Sequence, residues 1–84
     1  MKTIRLTAHA VEQCEERGAT EADVKEAIER GVREPAKRGR FMYRLNFEHR
    51  ARWQGKFYAI KQVAPVVAEG QNEIVVITVY TFYF

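Results

Sequence analysis

The first residues in the chain able to do chemistry lie in the stretch "TAHAVEQCEERG", which begins at Thr7. On a helix turning about 100° per residue, His9, Gln13 and Arg17 form one row, bordering an apolar stripe of Ala10, Val11 and Cys14. Imidazole titrates nearest neutral pH, so His9 is the leading acid or base candidate. Arg17 offers a planar fork that pairs with two phosphate oxygens. Near the C-terminus, Tyr80 is a second candidate proton carrier, with Thr78 two residues away on the same face of a strand. This set suits metal-independent cleavage of RNA. One group takes the 2′-hydroxyl proton, another protonates the leaving oxygen, and cations stabilise the phosphorane. Each residue also has a plainer reading. A histidine near a helix start is commonly solvated or capping, an arginine before a glycine stop suits the helix dipole, and Thr and Tyr are ordinary strand residues. His9, His49 and the acids share no recognisable metal-ligand spacing, so neither a metal nor a cofactor is expected.

A second feature is the uneven charge. Residues 1–29 hold four Lys and Arg against seven Asp and Glu, a net −3, whereas residues 30–56 hold nine against two, a net +7. The basic run "RGRFMYRLNFEHRARWQGKFY" interleaves cations with aromatics, the footprint of a polyanion partner. Arg38, Arg40, Arg44, Arg50, Arg52 and Lys56 are the candidate phosphate contacts, with Gln13 and Thr78 as further nucleic-acid contacts. Trp53 either stacks on a base or packs over the sheet end, and His49 reads as a nucleic-acid contact or a loop residue. The competing reading is a solvated, arginine-rich loop and hairpin.

The elements that must position these groups follow from periodicity. Residues 3–6 alternate and form a short strand or an extended lead-in. Thr7 caps a helix beginning at Ala8, and Gly18 supplies its left-handed stop. Thr20, with Asp23 three residues on, opens a second helix whose apolar face is Val24, Ala27, Ile28 and Gly31, with Gly31 a plausible terminator. Glu12, Glu15, Glu16, Glu21, Glu26 and Glu29 make the outward surface of this helical hairpin acidic. The linker "VREPAKRG" is expected to be irregular because of Pro35 and Gly39. Phe41, Tyr43, Leu45 and Phe47 then alternate with polar residues as a half-buried strand, and residues 48–56 read as a polar connection or flared hairpin end. A second strand covers about residues 57–63, with Pro65 marking an edge or bulge, and residues 69–73 form a turn. The closing "IVVITVYTFYF" reads as a central strand covered on both faces, its "FYF" end either an edge that pairs with another chain or the finish of the core. The predicted fold is α+β, with two N-terminal helices packed on one face of a three- to four-stranded antiparallel sheet.

With 84 residues, 46% hydrophobic and 30% charged, the composition describes one domain with a thin core. No apolar run reaches the roughly 18 residues of a membrane span, so no membrane association and a cytoplasmic location are expected. Cys14 is the only cysteine, which excludes an internal disulfide and suits a small buried apolar side chain.

"TAHAVEQCEERGATEADVKEAI" resembles the helical half of the small DUF4258 domains, which open on Thr, any residue and His-Ala, continue through an Arg-bearing helix to Arg-Gly, and add a second capped helix. "VVITVY" resembles their last strand. The likeness spans most of the chain, loosely over residues 32–56. His9 and Arg17 match the motif, whereas Gln13 stands where the pattern usually has arginine. The resemblance implies a RelE/barnase-like fold and a toxin-like, metal-independent ribonuclease, held in check by an acidic antitoxin or immunity protein. Two other readings remain beside it: a non-catalytic nucleic-acid-binding module, and a protein-interaction subunit docking an acidic partner. All three leave the oligomeric state open.

Overall fold

A computed structural model describes residues 2–84. Strand β1 (Thr3–Leu6) leads into helices α1 (Ala8–Arg17) and α2 (Glu21–Arg30), followed by β2 (Val32–Pro35), a short 3₁₀ turn (Lys37–Gly39), β3 (Phe41–Trp53), β4 (Lys56–Glu69) and β5 (Glu73–Tyr83). The five strands form one sheet in the order β1-β5-β4-β3-β2. It is mixed: β1 runs parallel to β5 and every other pair is antiparallel. The fold is therefore α+β as expected, but the antiparallel count of three or four strands is corrected to five mixed ones. The chain between β1 and β5 runs through both helices and the three intervening strands, a long connection of the kind a parallel pairing needs.

The helices begin and end where the capping residues stand. The Thr7 hydroxyl accepts from the Ala10 amide, and Gly18 closes α1 in the left-handed region at φ 76°. Thr20 and Asp23 form the reciprocal capping box of α2. Gly31 does end α2, though with extended backbone; a side chain there would strike the carbonyls of Ala27 and Arg44. Ala10, Cys14, Val24 and Ile28 pack on Tyr43, Val63, Val67, Val76 and Val79 to make the core. Burial raises the pKa of the Cys14 thiol, helped by the carboxylates of Asp23, Glu21 and Glu15, as suits an inert core thiol. The stripe on α1 differs from the expected one. Val11 is 42% exposed, and Gln13 is buried in its stead.

Three further expectations are corrected. The linker holds β2, an edge strand short and Pro-terminated enough to discourage pairing with other chains. Of the two readings of residues 48–56 the polar connection is corrected and the hairpin end holds: the ladder resumes after a register shift between Glu48 and Ala51, with Trp53 opposite Lys56 across a two-residue turn in which Gln54 and Gly55 both have positive φ. The second strand does not stop near residue 63. It runs through Pro65, which is fully buried in an interior strand, with a register shift directly after it at Val66 and Val67. Pairing with β3 is recorded at Met42 opposite Val66 and Leu45 opposite Val63, and Pro65, lacking an N–H, falls in the interval between.

Candidate nucleic-acid interface

β1 ends at Leu6, paired with Val76, so beyond that point no strand among the described residues flanks β5 on its outer side. Helix α1 takes the strand's place. The Gln13 Oε1 accepts the Val79 amide at 2.8 Å and the Thr78 hydroxyl, and Arg17 donates to the Val79 carbonyl at 2.7 Å. Farther along, the Thr81 and Tyr83 hydroxyls donate to the Arg17 carbonyl, and Lys61 donates to the Gly18 carbonyl and to Asp23. These donors satisfy the carbonyls that every helix leaves open at its C-terminus. Two members of the His9-Gln13-Arg17 row thus hold the helix to the sheet edge. A row bordering the apolar stripe reaches an uncovered edge as readily as a cleft.

His9, one helical turn before Gln13, is exposed, makes no side-chain hydrogen bond among the described residues and lines none of the three main hollows. The cationic segment borders a groove on the sheet, and Tyr80 lines it while His9 does not. It is a hollow of about 430 Å³ on the sheet face opposite the helices, lined by Ala36, Lys37, Arg38, Arg40, Met42, Val66, Thr78 and Tyr80. The Arg17 guanidinium stands 5.3 Å from the centre of the Tyr80 ring at its margin. Thr78 and Tyr80 enter together because of the register shift. Thr78 pairs with Val66 but Val76 with Val67, which leaves Ile77 as the extra residue and turns Thr78 toward this face.

Charge pairing separates the basic residues of the middle segment. Arg30, Arg33, Arg44 and Arg50 are bound to Glu26, Glu69, Glu34 and Glu48 respectively. Lys37, Arg38, Arg40, Arg52 and Lys56 have no carboxylate within ion-pair distance among the described residues, and the first three converge on the hollow. Arg52 donates to the Gly55 carbonyl, and Lys56 lies 5.6 Å from the centre of the Tyr58 ring at the distal hairpin. Arg38, which lines the hollow, adopts φ 63° and ψ 34°, a left-handed conformation that costs a side-chain-bearing residue about 1–2 kcal/mol. Lys37 is the lining residue that sequence reasoning passed over; its place in "KRGR" beside Arg38 was the available signal.

Other candidates have structural duties. Trp53 stacks on Tyr83 with ring centres 5.0 Å apart and covers Gly18, so it packs over the sheet end. His49 sets its ring edge against the same tyrosine at 5.3 Å. Burial holds the Tyr83 hydroxyl above its usual pKa and Thr81 works against that; burial and the Glu69 carboxylate do the same for Tyr43. The closing strand is covered on one face only, with Tyr80 and Phe82 40% and 43% exposed on the other. No helix is long and apolar enough to cross a membrane, and no cluster of three metal-ligating side chains occurs among the described residues. A protein-family model, that of a domain of unknown function (DUF4258), matches residues 6–81. No curated protein and no solved structure matches the chain.

Proposed function

The chain belongs to the DUF4258 family, and from that premise we propose that it is an RNA-binding domain whose phosphate site is the basic hollow on the open face of the sheet. One observation carries this reading. Of the nine cations in the middle segment, the three that line a hollow are three that no carboxylate among the described residues neutralises. Unpaired cations beside a hydroxyl donor, here Tyr80, are what a phosphodiester chain needs for positioning. The hollow's volume also falls in the usual range of roughly 300–1,000 Å³ for ligand sites.

Three neutralised phosphates on a single strand give log affinity against log salt a slope of about −2. Fluorescence anisotropy with a short single-stranded RNA at several salt concentrations measures it. Arg38→Ala with Arg40→Ala is expected to flatten the slope to about −0.7 and weaken binding at every salt. No binding at low salt, or a double variant indistinguishable from the parent, defeats the reading.

Metal-independent RNA cleavage, of the kind the toxin-like resemblance suggests, is the second reading, and the juxtaposition of Arg17 with Tyr80 at the hollow favours it. In that case Arg17 and Arg38 brace the phosphorane while Tyr80 moves a proton. Incubation with mixed RNA in the presence of chelator tests it on a gel. Products that disappear with Tyr80→Phe and persist with His9→Ala assign the chemistry to the hollow, loss with His9→Ala assigns it to the histidine, and no products leave binding alone.

A further inference from the structure

Resting on the reading that the hollow takes a phosphodiester chain, we infer that the sheet face beside it is a stacking platform for the unpaired bases of single-stranded RNA. The alternation of β3, β4 and β5 sends Arg44, Asn46, Gln62, Tyr80 and Phe82 to the side away from the helices. Two aromatic rings stand there side by side. Tyr80 and Phe82 are each about two-fifths exposed and sit two residues apart on β5, roughly 7 Å along the strand. That interval matches the repeat of an unstacked polynucleotide. Each ring has a guanidinium against it: Arg17 by Tyr80 at 5.3 Å, and Arg44 by Phe82 at 5.6 Å.

The groups around Phe82 are already held in place. Glu34 accepts from Arg44 at 2.8 Å, Arg44 donates to Gln62 at 2.9 Å, and Gln62 donates to Asn46 at 2.8 Å. Glu34 neutralises Arg44, so this arginine serves as a flat surface over the ring more than as a phosphate contact. The chain of bonds uses the Asn46 carbonyl and leaves its amide hydrogens for a base edge. Phosphates in the hollow with bases laid over β5 is the division that single-strand recognition requires, since ring faces accept any base and cations hold the backbone. Duplex RNA hides its base faces in its own stack, so the two exposed rings would contribute nothing to it. A second copy of this chain is a poorer occupant, because joining two such faces brings Lys37, Arg38 and Arg40 toward their own counterparts.

The test compares three probes by anisotropy at one low salt concentration: a single-stranded RNA of about ten nucleotides, an abasic ribose-phosphate chain of the same length, and the RNA annealed to its complement. The parent protein is expected to bind the single strand best. Phe82→Ala, at an exposed position whose folding is checked by circular dichroism, is expected to lose about tenfold on the single strand and nothing on the abasic chain. Equal binding of RNA and abasic chain, or a Phe82→Ala variant with undiminished affinity, overturns the platform. If Arg38→Ala with Arg40→Ala still weakens binding in that event, the phosphate site stands without it. If neither RNA nor abasic chain binds, both fall. A dimer in sedimentation that Phe82→Ala dissociates also overturns the platform, by giving the face to a second copy.

Discussion

Replacing Gln13 by methionine keeps the length of the side chain and nearly its volume, and removes the acceptor that α1 offers to the Val79 amide on the open edge of β5. The Val79 amide, bound at 2.8 Å in a residue with no exposure, loses its partner, and the Thr78 hydroxyl loses the same oxygen. A buried donor left unsatisfied costs about 1–3 kcal/mol. Thr78 is only part-buried and its hydroxyl can rotate, so its share is smaller. The expected loss is about 2 kcal/mol, which for a chain of this size lowers the melting temperature by roughly 10 °C. Urea denaturation followed by circular dichroism measures the global term, and hydrogen exchange at the Val79 amide measures the local one. Gln13→Arg is informative beside it, because arginine supplies donors alone and loses the same two bonds although it restores the residue usual in the family's pattern. A Gln13→Met variant within about 0.5 kcal/mol of the parent, with Val79 as protected as before, refutes the idea that this side chain stands in for a strand.

Three other outcomes follow from the geometry. Arg38→Gly relieves the left-handed backbone and is expected to gain about 1 kcal/mol in denaturant while RNA affinity falls, the opposite signs distinguishing a binding residue from a structural one. Gly18→Ala, which forces a side chain into the left-handed region at φ 76° and against Trp53 and the Tyr83 hydroxyl, is expected to cost about 2–3 kcal/mol in the same assay. For Asp23, desolvation pushes the pKa up, but the Thr20 amide, the Lys61 ammonium and the Thr20 hydroxyl together outweigh it and hold the carboxyl below its ordinary 3.8. A depressed folded-state pKa stabilises fully above the unfolded value and loses that stabilisation as pH falls through the folded one. Acid titration of stability should therefore be steeper below about pH 4 in the parent than in Asp23→Asn, and equal slopes would remove Asp23 from the account.

What the amino-acid order determined by itself is what depends on neighbours a few residues away. Thr7, Gly18, Thr20 and Asp23 set both helices through hydrogen bonds within one turn, and the alternation from Phe41 to Phe47 set a strand with Tyr43 inward and Arg44 outward. The concentration of cations in residues 30–56 was equally plain, as was the match that places the chain in its family. Only the tertiary structure decided how those pieces serve a site. Whether Arg44 is free or bound depends on Glu34 across a strand pair and Gln62 across another. Whether Gln13 faces substrate or backbone depends on Val79, 66 positions along the chain. β1 docks on β5 across a similar separation, covers it only as far as Val76, and so creates the edge that α1 must close. A local pattern records that a residue is polar and which side of its element it occupies. It holds no information on which distant partner reaches it first, and in this protein that contest turned Gln13 into a structural contact and left Lys37, Arg38 and Arg40 without carboxylate partners among the described residues.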